Sequence, residues 1–121
     1  MIILRKTFSF EASHQLKFHD GKCANLHGHS WKLTIEVRGG QLEDVGEKSN
    51  MLLDYGDISN AVKPFIEKLD HKHLNDVFNT DSPTSEFISI TLFNELQQTI
   101  PLLFAIEISE TENTLCRYEG K

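Results

Sequence analysis

Residues 27–40 read "HGHSWKLTIEVRGG" and alternate strictly. Trp31, Leu33, Ile35 and Val37 share one parity, and Ser30, Lys32, Thr34, Glu36 and Arg38 share the other. That period of two is the mark of a strand with one face buried and one wetted. Gly39-Gly40 ends the strand. At its front, His27 and His29 carry the apolar parity on, with Gly28 between them. Residues i and i+2 of a strand point the same way, so Gly28 separates two imidazoles on one face.

Working outward, residues 2–14 alternate as well. Leu4, Phe8, Phe10, Ala12 and His14 share a parity that only Lys6 interrupts. A polar loop over 40–50 and a short extended piece from Met51 to Tyr55 follow the second strand. Asp57 can cap a helix whose apolar stripe is Ile58, Val62, Phe65, Ile66 and Leu69, with Pro64 inside it as a source of a kink. Ser82 as cap and Pro83 at the first helical position predict a second helix. Its stripe is Phe87, Ile90, Phe93, Leu96, Gln97 and Ile100, and Pro101 stops it. Leu102, Phe104, Ile106, Ile108 and Glu110 then share one parity of a third strand, and residues 114–119 make a short fourth. Strands and helices kept in separate runs predict an α+β fold. The expected architecture is a four-stranded antiparallel sheet with two helices on one face (ββααββ).

The 121 residues suggest one domain, 1–121, able to bury a core without staples. A net charge of -6 argues against binding nucleic acid, which needs a basic surface. No apolar run is long enough to span a membrane, and the N-terminus does not read as a signal peptide. Cys23 and Cys116 do not make a disulfide framework, so a cytoplasmic protein with reduced thiols is expected.

The polar residues in register with buried ones carry the chemistry. An antiparallel pairing of the first two strands brings the end of one beside the start of the other, so His14 meets His27 and His29. Three imidazoles at one point make a zinc site with a vacant fourth position, able to polarise a substrate oxygen or activate water. Cys23 has two readings. It is either a fourth ligand closing a structural site, or an acid/base or nucleophile standing off the metal. Glu110 ends its strand on the apolar parity, where a carboxylate could accept paired N–H bonds from a guanidine-like edge, as in pterins and guanines. On pattern alone, Asp70-His71 is no more than a helix end with a cation near the dipole.

"FSFEASHQL", "CANLHGHSW", "MLLDYGDI", "KLDHKHLND", "PTSEF" and "ISETENTLCRY" occur in this order over nearly the whole chain. Together they resemble the 6-pyruvoyl-tetrahydropterin synthase family. The resemblance implies the tunnelling fold, with subunits joined through their sheets into a homohexamer of two trimers and active sites at subunit interfaces. It implies zinc on His14, His27 and His29, and Cys23 as a catalytic thiol in a relay with Asp70 and His71. It assigns Glu110 to the pterin ring and the relay, and Thr84 and Glu86 to the pterin pocket. The implied substrate is 7,8-dihydroneopterin triphosphate. Cys23 and three residues, Ala24-Asn25-Leu26, precede His27. That spacing resembles the bacterial branch, which cleaves the side chain to 6-carboxytetrahydropterin and acetaldehyde for queuosine synthesis. The alternatives are the pyruvoyl product without side-chain cleavage, and a pterin-binding module with structural zinc.

Overall fold

In the computed structural model, β1 (Ile2–His14) and β2 (His27–Gly39) pair antiparallel from Ile2 opposite Gly39 to His14 opposite His27. Residues 1–120 are described, and Lys121, the end of the expected domain, lies outside them. A 3₁₀ turn (Lys22–Ala24) lies between these strands. The chain continues through α1 (Tyr55–Leu69), β3 (Lys72–His73), α2 (Leu74–Phe78), α3 (Ser85–Leu96), β4 (Leu103–Ser109) and β5 (Cys116–Tyr118). The sheet order is β3-β1-β2-β4-β5.

The α+β expectation holds, with two corrections to its count. The sheet has five strands, because Lys72–His73 runs parallel to β1 against Ala12 and Ser13. Two residues are too few to show a period, so no sequence pattern marks them. A third, five-residue helix, α2, follows at once. Asn79, in the left-handed region at φ 51°, ends it, a conformation Asn tolerates better than most residues.

Helix boundaries move toward the better caps. Asp54, not Asp57, caps α1, and its Oδ1 accepts from the Gly56 N–H at 2.8 Å. The helix runs on through Pro64, whose position is exposed, so water can take the carbonyl of Asn60. Thr84, not Ser82, caps α3, with its Oγ1 accepting from the Phe87 N–H at 3.1 Å. Ile88, Ser89, Leu92, Phe93 and Leu96 face inward, while Phe87 and Ile90 are exposed. Phe93, Leu96 and Ile100 of the expected stripe are buried, but its first turns miss, because Phe87, Ile88 and Ile90 spread apolar character round them.

The core forms between one sheet face and the helices. Trp31, Leu33, Ile35 and Val37 are fully buried against Ile58 and Val62 of α1, Leu74 of α2, and Ile88 and Leu96 of α3. Each such side chain contributes roughly 1.5–3 kcal/mol of apolar transfer. In β4 the parity slips at a bulge, where Glu36 pairs with Ala105 but Val37 with Leu103. Leu103 joins the core, Phe104 lies 3.7 Å from the Arg38 guanidinium, and Leu102 is outside the strand at φ 66°. Lys6, the break in β1, donates to the Ser59 hydroxyl at 2.5 Å.

The other sheet face is charged yet closed. Arg117 donates to Glu36 at 2.9 and 2.7 Å and to Glu107 at 2.8 Å. Arg38 reaches Glu36 at 2.8 Å, and Arg5 pairs with Glu107. Glu36 is only 2% exposed, so it depends on these cations. The Arg117 hydrogen bonds are the main cause that lowers its carboxyl from 4.5 to about 2. A depressed carboxyl stabilises the fold above its unfolded value and loses that stability as pH falls through the folded one. Chemical denaturation should show about 3 kcal/mol from this group at pH 7, fading between pH 4.5 and about 2. Glu36→Gln should remove that part of the acid dependence, and an unchanged pH profile in the variant would refute the assignment.

Candidate active site

The register of β1 and β2 delivers three imidazoles to one end of the core face. His14 ends β1 and is 1% exposed. Its Nδ1–H donates to the Pro83 carbonyl at 2.9 Å. The His27 Nδ1–H donates to the Asn25 carbonyl at 2.7 Å. A carbonyl only accepts, so both rings carry their proton on Nδ1 and leave the Nε2 lone pair free. One nitrogen from each of His14, His27 and His29 lies within 4.8 Å of the others. Nε2 of His14 and of His29 are buried without a hydrogen-bond partner among the described residues. Two unsatisfied buried nitrogens facing each other are costly unless something fills the gap. The donor set fits a borderline metal ion held by three imidazoles.

Burial is the main cause that lowers both His14 and His29 below the usual 6.5, and the neighbouring imidazoles add to it. Glu110 opposes the shift, with its Oε2 3.8 Å from His29 Nε2. The neutral form that results is the one that binds metal. Trp31 walls the site, its ring centroid 4.9 Å from His14 and 5.4 Å from His29. Its indole N–H donates to the Ala12 carbonyl at 3.1 Å.

Asp70 and His71 form a contact that sequence neighbours rarely make. His71 takes φ 59°, a left-handed conformation uncommon outside glycine. Asp70 Oδ2 then meets His71 Nδ1 at 3.1 Å. Asp70 Oδ1 accepts from the Glu11 N–H at 2.8 Å, and the His71 N–H returns to the Glu11 carbonyl at 2.5 Å. The Glu11 bond first, and His71 second, keep the Asp70 carboxyl below its ordinary range. His71, Lys72 and His73 line a cleft of about 670 Å³ with Glu11, Ser13 and Ser30, and His29 borders it too.

Not every expected residue converges. Cys23 lies in the 3₁₀ turn, partly exposed, and is not part of the three-histidine group. No hydrogen bond among the described residues joins its thiol to Asp70, His71 or Glu110. Thr84 spends its hydroxyl on the α3 cap, and Glu86 is exposed, its carboxylate accepting from the Ser85 hydroxyl at 3.1 Å. The Pro83 carbonyl that orients His14 was not foreseen, because a main-chain acceptor leaves no trace in residue type.

The family described as "6-pyruvoyl tetrahydropterin synthase" matches residues 3–121. A protein of Synechocystis sp. named 6-carboxy-5,6,7,8-tetrahydropterin synthase is 39% identical over 120 residues, covering 98% of this chain and 93% of its own. A Haemophilus influenzae protein of the same name is 33% identical over 98% of this chain and 99% of its own. The Caenorhabditis elegans 6-pyruvoyl tetrahydropterin synthase structure superposes with a TM-score of 0.83 at 27% identity, over 99% of this chain and 96% of that one. The chain belongs to the 6-pyruvoyl tetrahydropterin synthase family.

The histidine geometry makes a solution prediction. Zinc at one hundred times its Kd should stabilise the metal-free protein by about 2.7 kcal/mol at pH 7.5. His29→Ala should abolish that increment. Because the folded state holds these rings neutral, the unfolded chain binds more protons below 6.5, and the metal-free fold should weaken as pH falls there. Protons also compete for Nε2, so the zinc increment should shrink over the same range. Thermal unfolding with and without chelator reads both effects, and a pH-independent increment would count against imidazole ligation.

Proposed function

We propose that this chain is a zinc-dependent 6-carboxy-5,6,7,8-tetrahydropterin synthase of queuosine biosynthesis. It converts 7,8-dihydroneopterin triphosphate to 6-carboxytetrahydropterin, acetaldehyde and triphosphate. The observation that carries this reading is the pair of buried, unpartnered Nε2 atoms of His14 and His29, open toward His27 and beside Glu110. The names of the Synechocystis and Haemophilus relatives support the product.

Zinc on His14, His27 and His29 would supply Lewis-acid polarisation of the side-chain hydroxyls and acidify the neighbouring C–H. Glu110 accepts paired N–H bonds from the guanidine-like edge of the pterin and fixes the ring. Thr84 and Glu86 are assigned to that pocket by the family motifs, not by a contact within this chain. Cys23, outside the ligand set, takes and returns the proton moved along the side chain. Asp70 holds His71 in one tautomer, so its Nε2 faces outward to exchange a proton.

His71 is exposed in the single chain and has no bond to Cys23. A second subunit supplies the missing partner, in a homohexamer with active sites at its interfaces. The edge of β1 supports this reading, since β3 covers it only at Ala12 and Ser13. A long uncovered edge needs pairing or protection. The chain works as a single tunnelling-fold domain in the cytoplasm. No helix among the described residues is long and apolar enough to cross a membrane.

Incubation of the zinc-loaded protein with 7,8-dihydroneopterin triphosphate, followed by mass spectrometry, should yield 6-carboxytetrahydropterin and acetaldehyde. A pyruvoyl product would move the chain to the other branch, the name borne by the Caenorhabditis structure. Cys23→Ala should keep bound zinc and lower kcat by about 10²-fold or more, the scale of a lost acid/base group. Loss of zinc in that variant would instead make Cys23 a ligand.

A further inference from the structure

The proposed thiol has no bond of its own to the metal strands, yet its turn is not loose. The Leu16 N–H donates to the Cys23 carbonyl at 2.8 Å. The Gln15 side-chain N–H donates to the Ala24 carbonyl at 2.8 Å. Two adjacent carbonyls of the thiol-bearing turn are therefore held by the two residues that follow His14.

Gln15 is itself gripped from the other side. Its N–H donates to Asn75 Oδ1 at 2.9 Å, and the Asn75 side-chain N–H returns to its carbonyl at 2.7 Å. Asn75 is 6% exposed and lies in the first turn of α2, four residues after His71. Its carboxamide satisfies both main-chain groups of one residue, as a neighbouring strand would. Asp70 does the same for the Glu11 N–H, four residues earlier on β1. Between them lie the two paired residues of β3. The segment 70–75 thus grips residues 11–15 along one continuous edge.

We infer that Asn75 and Gln15 are positioning residues, forming a hydrogen-bonded clamp that sets the Cys23 turn against the histidine site. The catalytic part of this inference rests on the acid/base role proposed for Cys23. The clamp ties three separated pieces of sequence into one rigid frame. A thiol displaced by about 1 Å can cost on the order of 10²-fold in rate.

The test compares Asn75→Ala, Gln15→Ala and Gln15→Glu with the parent protein. Gln15→Glu keeps the shape and loses the N–H donor to Ala24. Zinc content, kcat, KM and the iodoacetamide alkylation rate of Cys23 are measured, with Cys116 mapped in the same digest as a control. All three variants should keep zinc. Each should lower kcat on the order of tenfold to a hundredfold with KM little changed, and should speed Cys23 alkylation severalfold relative to Cys116. Gln15→Ala and Gln15→Glu should agree, and each should be non-additive with Asn75→Ala. If Asn75→Ala does not fold, the Gln15 variants decide, because they leave the main-chain pair with Asn75 intact. Alkylation within twofold of the parent in both Gln15 variants overturns the clamp, and so does loss of zinc. Faster alkylation with unchanged kcat upholds the clamp and overturns the catalytic role of Cys23 instead.

Discussion

The pairing of β1 with β2 governs everything else in this molecule. Thirteen consecutive pairs, ending with His14 opposite His27, place three imidazoles on one face. A slip of one residue would turn Trp31, Leu33, Ile35 and Val37 to water and separate His14 from His27 and His29. The core therefore enforces the register, and the register builds the three-histidine group. Stability and chemistry are not independent here, since the same alternation serves both.

Asp70, His71 and β3 lie along the edge of β1 that faces away from β2. There the chain uses side chains where a strand would be too short. β3 contributes only two residues of pairing, and Asp70 extends it with a carboxylate. The left-handed turn at His71 is what lets Asp70 and its neighbour face each other. Backbone strain of this kind persists only where surrounding bonds hold it, and the Glu11 N–H and carbonyl do so. The opposite sheet face is held by a different device. Glu36 and Glu107 are buried by pairing with arginines from three strands rather than by apolar cover.

Much of this was legible before the fold was known. Alternation in residues 2–14 and 27–38 located two strands and their inward faces, and strand parity with an antiparallel pairing put His14 near His27 and His29. Where apolar residues ran together, the pattern misled. At the start of α3 the expected stripe took Phe87 and Ile90 where Ile88 is buried, although Phe93, Leu96 and Ile100 held, and a bulge carried Phe104 to the polar face. The two-residue β3 was invisible, because pairing of that length is decided by its neighbour.

What the sequence by itself determined is the class of fold and the identity of the three imidazoles, since both follow from a period of two over long stretches. The family motifs added the residues around them. Only the tertiary structure decided the tautomer of His14, the facing of Asp70 and His71, and the grip of Asn75 on Gln15. Each depends on a main-chain group far away in sequence: the Pro83 carbonyl for His14, Glu11 for Asp70, Gln15 for Asn75. Every residue carries such groups, so residue type cannot mark the ones that matter. Their partners are set by where the backbone runs once the core has closed.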